Sequence, residues 1–291
     1  MAPFRRAAPY LVHLRLPFQL TLAPIFLWGA LLSGGAWQVG TTAAFLALHL
    51  FLYPAATAFN SVYDDDEGPV SGLERPPQVP PGLFGFAVFL AVAGALVAAV
   101  AGLGFLLAYA LIAVWTAAYS HPAARWKSSP WKSAAAIALG QGALGFVAGW
   151  IASAPLDSGD EALIAGAAGA ALTALGLYPA TQVFQRGEDE ARGDRTLAVA
   201  LGPARALRLG AASLALGGAV TAWLVERRFG PPDAFLIAFG YAALIVGLER
   251  LGRRATGSEE ARLYRPSMRI TRWATAGFLL FLALQAVGRG G

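Results

Sequence analysis

The sequence has no cysteine and few charged residues. None of its 291 residues is Cys, which excludes disulfide bonds and thiolate metal sites. Charged residues make up 13% of the chain, whereas a typical soluble domain has about 25%. They lie in short groups between long apolar runs, and hydrophobic residues reach 57%. This pattern is typical of a polytopic membrane protein, and no polar segment is long enough to form a soluble domain.

Three common catalytic patterns are also missing. The chain has no Walker A sequence, no G-x-S-x-G and no H-E-x-x-H. Nothing in it therefore indicates P-loop nucleotide hydrolysis, acyl transfer or zinc peptidase chemistry. Any chemistry must come from the polar residues at the ends of the apolar runs.

Nine apolar segments have about the right length to cross a bilayer, since most reach the ~20 residues that a hydrocarbon core requires. We therefore predict an all-α integral membrane protein in which residues 1–291 form a single membrane domain of nine transmembrane helices. Gly and Ala are frequent in these segments, which lets helix backbones approach closely in lipid. The predicted spans are 17–34, 41–60, 83–103, 104–120, 133–152, 161–182, 205–225, 233–249 and 271–288.

The basic residues predict the orientation of these spans. If the N-terminus is cytoplasmic, all of the 22 Lys and Arg residues except Arg227, Arg228 and Arg289 fall on the cytoplasmic side. This asymmetry follows the positive-inside rule, so the basic residues indicate membrane topology and not nucleic-acid binding. We expect a protein of the bacterial inner (plasma) membrane whose site faces the cytoplasm. No feature indicates an obligate protein partner.

A motif occurs twice, at residues 53–68 and 178–193. Tyr, Pro, Ala, Phe, one Asp and one Gly recur in register, and the repeated carboxylates are Asp64 and Asp189. Each follows a carboxamide, Asn60 or Gln185, by four residues, so each pair shares a helix face if the helix continues. An even number of spans separates the copies, which predicts a parallel internal repeat with both copies at the cytoplasmic side.

The repeated carboxylates and carboxamides are hard oxygen ligands of the kind that Mg²⁺ prefers, together with substrate phosphate oxygens. Taken alone, the D-D-D-E run could be a solvated acidic loop, but its repetition at two membrane edges favours a metal site. We assign catalytic roles to Asp64, Asp189 and Asn60. The candidate metal ligands are Asn60, Asp64, Asp66, Glu67, Gln185 and Asp189.

The loop after the fourth span carries basic residues that suit a diphosphate. It reads Y-S-H-P-A-A-R-W-K, and Arg125 can donate through a planar fork whereas Lys127 acts as a point charge. Tyr119 begins the same loop, and Arg195 lies in a similar basic segment beyond the second acidic motif. Alternatively, these basic residues only set the orientation of the helices through the positive-inside rule.

These motifs resemble those of the UbiA superfamily of intramembrane prenyltransferases. The resemblance rests on N-x-x-x-D at Asn60 and Asp64, on Y-S-x-P-x-x-R-x-K from Tyr119, and on D-x-x-x-G-D-R-T-L-A-V-x-L-G from Asp189. It implies nine helices around a central cavity, with Mg²⁺ bridging two facing acidic motifs to a prenyl diphosphate. A lipophilic acceptor would then attack the allylic cation that forms when pyrophosphate leaves.

The chain departs from the pattern of that family at three positions. The first motif is commonly N-D-x-x-D-x-x-x-D, yet this chain has Ser61 and Gly68 at two of the acidic positions, with Asp66 or Glu67 as the candidate replacement. Gln185 stands at the usual first Asp of the second motif. These changes point to a divergent branch. A terpene cyclase using the same ionisation therefore stays open beside the prenyltransferase, and a transporter is a third, less favoured interpretation.

Overall fold

The computed structural model describes residues 2–156, 159–255 and 259–288. For residues 2–7 it describes the main chain but not the side chains. Nine long helices dominate the described part of the chain. Eight have at least 18 residues and are apolar enough to cross a membrane, whereas α3 is apolar but has 17 residues. Their bounds are α1 Ala8–Leu32, α2 Val39–Asp64, α3 Leu83–Ala99, α4 Leu103–Ser120, α5 Pro130–Ile151, α6 Glu161–Gln182, α7 Pro203–Phe229, α8 Pro231–Ala255 and α9 Glu260–Gly288.

Helix ends follow the local sequence. Asp160 caps α6, since its side chain accepts hydrogen bonds from the backbone N–H groups of Ala162 and Leu163, at 2.7 and 3.3 Å. Gly102 turns the chain between α3 and α4 with a φ of 97°, a conformation that favours glycine. The predicted spans 83–103 and 104–120 adjoin, which leaves room only for a tight turn, and the structure has one at Gly102.

Small residues let the helices that surround the site approach closely. Where α1 crosses α5, a Cβ atom at Gly149 would overlap the carbonyl oxygen of Phe26, and one at Gly29 would overlap that of Phe146. The phenyl rings of Phe26 and Phe146 are fully buried beside this crossing. Backbone contact of this kind replaces the hydrophobic driving force that lipid does not provide.

The two copies of the acidic motif differ in local structure. In α2 a π-helical stretch, Ala47–Leu52, precedes Pro54, and the helix then continues to Asp64. In the second copy α6 ends at Gln182, and a separate short helix, Arg186–Ala191, carries Asp189. Asn60 and Asp64 therefore lie on one continuous helix as predicted. Gln185 does not continue α6, because it stands at the N-terminus of the short helix.

Candidate functional site

A cavity of about 880 Å³ lies inside the bundle. One end is polar and is formed where α2, the loop after α4 and the segment after α6 meet. The rest is mainly apolar, with aromatic and branched side chains from most of the long helices. The polar lining includes Arg15, Asn60, Asp64, Lys127, Gln185, Asp189 and Asp194, and the apolar lining includes Trp28, Ile112, Trp115, Ile137, Ile237, Phe278 and Phe281.

The last turn of α2 meets the basic loop at this polar end. Lys127 forms an ion pair with Asp64 and donates a hydrogen bond to Asn60 Oδ1 at 3.3 Å. Ser120 Oγ donates to the same Asn60 oxygen at 2.8 Å. The side chains of Lys127 and Asp64 are each only 7% exposed, so their charges are poorly screened by water.

The two acidic motifs contact each other through Arg192. Its guanidinium donates to Asp66 Oδ1 at 2.6 Å and to Asp189 Oδ1 at 2.8 Å. Beside it, the backbone N–H of Gly68 donates to Glu188 Oε1 at 2.6 Å. Gly68 is the position where the family pattern has an acidic residue, so Glu188 from the second motif brings a carboxylate to that point.

A bidentate ion pair lies beside these residues. Together they form the charged cluster of the site, which consists of Arg15, Asn60, Asp64, Asp66, Arg125, Lys127, Glu188, Asp189, Arg192 and Asp194. Arg125 donates to both carboxylate oxygens of Asp194, at 2.9 Å each, which is the strong planar geometry of an arginine fork. Arg125 reaches it from a backbone with a φ of 36°. Arg15, on α1, is buried as well and donates to Ser61 Oγ at 2.9 Å.

Burial brings the pKa values of two of these groups close to neutral pH. It lowers the pKa of the Lys127 ammonium to about 8, although the Asp194 carboxylate opposes that shift. It raises the pKa of the Asp189 carboxyl to about 6, against the effect of the neighbouring Arg192. Burial also raises the pKa of Glu188. The charge of the cluster therefore changes on both sides of pH 7.

Not every predicted site residue joins the cluster. Tyr119 does line the cavity, and its hydroxyl lies 2.7 Å from that of Tyr178. Gln185 lines the cavity but has no hydrogen bond from its side chain among the described contacts. Glu67 and Arg195 are both exposed, and neither lines the cavity. The structure therefore does not bring the Arg195 side chain to the proposed diphosphate site.

Sequence reasoning missed four residues that the structure places in the cluster, namely Arg15, Glu188, Arg192 and Asp194. Asp194 and Arg192 were visible as parts of the segment from Asp189 to Gly202, but nothing in the spacing showed which of its charged residues turn inward. Arg192 follows Asp189 by three residues, which places both on one face of a short helix. This spacing was the sequence signal that could have identified Arg192 as a partner of Asp189.

The oxygen-rich donor set suits a hard divalent cation such as Mg²⁺. Asp66 Oδ2 and Glu188 Oε2 are buried and accept no hydrogen bond, although Arg192 lies 4.0 Å from the Glu188 oxygen. Such oxygens favour the approach of a cation. Within the described residues, no three acidic or histidine side chains converge to hold a metal ion by themselves. Lys127 and Arg192 pair with the carboxylates instead, so metal entry requires at least one of these pairs to open.

Together, the helices and the cavity define an integral membrane protein with a charged site at one end of an apolar chamber. Its family follows from the sequence, since the model of the UbiA prenyltransferase family matches residues 22–275. The chain belongs to the UbiA prenyltransferase family. No curated protein matches it.

Solved structures show the same fold. A UbiA homologue from Archaeoglobus fulgidus bound to GPP and Mg²⁺ matches with a TM-score of 0.68 and 19% identity, over 94% of this chain and 99% of that one. The apo UbiA homologue from Aeropyrum pernix K1 has a TM-score of 0.65 and 18% identity, over 91% and 98%. The structure described for digeranylgeranylglyceryl phosphate synthase in membranes has a TM-score of 0.64 and 15% identity, over 96% and 99%.

Proposed function

We propose that this protein is a Mg²⁺-dependent prenyltransferase that moves an isoprenoid chain from a prenyl diphosphate to a lipophilic acceptor. The observation that carries the proposal is the meeting of two acidic motifs with Lys127 at the polar end of an apolar chamber. Membership of the family supports it, as does the binding of GPP with Mg²⁺ by the Archaeoglobus homologue.

The polar end would hold the diphosphate and its metal. Asn60 and Asp64 would supply oxygen donors for Mg²⁺, whereas Asp66 and Asp189 are already paired with Arg192. Lys127 would contact the diphosphate once its ion pair with Asp64 opens. When bound, Mg²⁺ would neutralise the charge of the departing pyrophosphate. In the reaction the C1–O bond of the prenyl diphosphate breaks and its electron pair leaves with pyrophosphate, while the acceptor forms the new bond to C1 and loses a proton.

The apolar chamber would hold the isoprenoid chain and exclude water from the allylic cation. Trp115 lines it and is fixed in place, since its indole N–H donates to Ala136 O at 3.0 Å and its ring stands edge-on to Trp126. A ring facing a cation contributes about 0.5–2 kcal/mol. The lining also runs between α8 and α9 to residues such as Phe239 and Leu280, which are 66% and 62% exposed. This gap would admit a lipid-soluble acceptor from the bilayer.

We also propose nine membrane crossings with a cytoplasmic N-terminus, in the bacterial inner membrane. Helix α3 would be the ninth, shorter crossing. The distribution of Lys and Arg supports this orientation, which places the acidic motifs at the cytoplasmic side.

A terpene cyclase is the second candidate, because Ser61, Gly68 and Gln185 alter the metal-binding motifs. Such an enzyme would release pyrophosphate without any acceptor. A transporter is less favoured, since a transporter usually holds its substrate near the bilayer midplane, whereas the acidic cluster lies at the ends of the helices.

The test is pyrophosphate release and product mass from the purified full-length protein, with geranylgeranyl diphosphate and Mg²⁺, with and without a membrane lipid extract. Release that requires the extract, together with a prenylated product, supports transfer. Release without extract and a cyclic product supports the cyclase. The double variant Asp64→Asn/Asp189→Asn is the control, and release that survives in it contradicts the assigned site.

A further inference from the structure

Arg192 lies among carboxylates that come from both copies of the acidic motif. Four carboxylates lie within 4.0 Å of its guanidinium nitrogens. Two of them, Asp66 and Asp189, come from different copies of the motif, at 2.6 and 2.8 Å. The other two are Asp194 at 3.6 Å and Glu188 at 4.0 Å. This side chain therefore links the two copies of the motif.

The same chain lacks acidic residues where extra metal ligands would be expected. Ser61 contributes a hydroxyl that accepts from Arg15, Gly68 contributes only a backbone N–H, which Glu188 accepts, and Gln185 carries no charge. Asp194 is also unavailable, because Arg125 occupies both of its oxygens. The carboxylates that do remain in this part of the site, Asp66, Glu188 and Asp189, all lie within 4.0 Å of the Arg192 guanidinium, where a second divalent ion would meet its positive charge.

Asn60 and Asp64 still offer two hard oxygen ligands to a metal ion. Asn60 and Asp64 lie one turn apart on α2 and both line the cavity. Their present partner, Lys127, is a flexible point charge that can move aside more readily than a bidentate guanidinium.

We propose that the Arg192 guanidinium is a built-in cation that takes the place of a second metal ion, so that this protein works with a single divalent ion at Asn60 and Asp64. Arg192 is then a positioning residue that holds Asp66 and Asp189 together. The inference rests on the proposed Mg²⁺-dependent function. It follows from the charges around Arg192 and from the missing carboxylates of this chain.

The experiment counts metal ions directly. The purified full-length protein is saturated with a non-reacting thio analogue of geranyl diphosphate, and bound Mn²⁺, used in place of Mg²⁺, is titrated by electron paramagnetic resonance. We expect one Mn²⁺ per chain for the wild type. We expect a second ion in Arg192→Gln, bound at least roughly tenfold more tightly than any second ion in the wild type, because a fixed positive charge next to it is gone.

Two variants separate this role from a merely structural one. Arg192→Lys keeps a cation and should still bind one ion, and Arg195→Gln removes an exposed arginine nearby and should do the same. Two ions in the wild type, or one ion in a folded Arg192→Gln, overturn the inference and leave the proposed function intact. If Arg192→Gln does not fold, the number of Mn²⁺ ions bound by the wild type decides alone. Two ions in the wild type then overturn the inference. A wild type that binds no Mn²⁺ overturns the proposed function itself.

Discussion

Asp64 lies where the charges of the site converge. It ends α2, pairs with Lys127 and lies 3.8 Å from Arg125. Its neighbour Asp65 is exposed and belongs to the D-D-D-E run as well. Asp64 lines the cavity, whereas the adjacent Asp65 is exposed to solvent. The direction of the side chain at the end of α2 therefore separates the candidate functional carboxylate from the solvated one.

This difference gives the first prediction. Asp64→Asn should lower the rate of pyrophosphate release by about 10²–10³, the usual cost of losing one group that stabilises charge in a transition state. Asp65→Asn should change it less than about twofold, because its side chain is outside the cluster and Asn tolerates the left-handed backbone of this position. Rates are measured with saturating Mg²⁺, and thermal unfolding confirms that both variants are folded. Equal losses in the two variants would contradict the assignment of Asp64.

Lys127 gives a pH-dependent prediction. Its pKa of about 8 means that the ammonium is charged at pH 7 and mostly neutral at pH 9. If it binds the diphosphate, KM for the prenyl diphosphate should rise about tenfold between these pH values, following the loss of the charged form. Lys127→Arg keeps its charge over the whole range, so its KM should stay nearly constant. A wild-type KM that does not depend on pH would remove Lys127 from the diphosphate site.

At the scale of the helix, close backbone packing leads to a stability prediction. Gly149→Ala places a methyl group against the carbonyl of Phe26 where α5 crosses α1, so the helices must separate. We expect a loss of about 1–3 kcal/mol in the free energy of unfolding, as for other overpacked interiors. Gly85→Ala in α3 meets no atom within 4 Å and should be neutral or slightly stabilising. Thermal unfolding in detergent compares the two, and equal stability would contradict the crossing.

The same helices show what the sequence could predict. Apolar length and the positions of Pro and Gly predicted α2 and the turn at Gly102, because these signals are local. The predicted span 161–182 coincides with α6. The break between α6 and the short helix that carries Asp189 was not predicted, since the repeat suggested that Gln185 and Asp189 would share a helix face as Asn60 and Asp64 do. The spacing of Arg192 from Asp189 is a local signal, but the contact of Arg192 with Asp66 joins residues 126 positions apart. No local pattern carries that second piece of information.

At the scale of the whole molecule, one end of the bundle collects buried charges from four separate parts of the chain. Arg15, Asp64, Lys127 and Asp189 all line the same cavity, although none is near another in sequence. Each such charge is costly in a bilayer unless it is paired or functional. Ion pairs of Asp64, Lys127 and Asp189, and the hydrogen bond from Arg15 to Ser61, explain how an apolar bundle tolerates these charges. Ligand binding would require ion pairs of this group to open.

The cysteine-free sequence allows a direct test of the proposed orientation. Ala36, between α1 and α2, and Ala123, between α4 and α5, are both exposed loop residues, and replacing Ala with Cys at either position is a small change. With a cytoplasmic N-terminus, a membrane-impermeant maleimide added to intact cells should label Ala36→Cys and leave Ala123→Cys unlabelled until the membrane is permeabilised. The wild type, with no Cys, is the blank. The reverse labelling would place the acidic motifs outside the cell, where the proposed diphosphate chemistry would have to draw its substrate from the other side of the membrane.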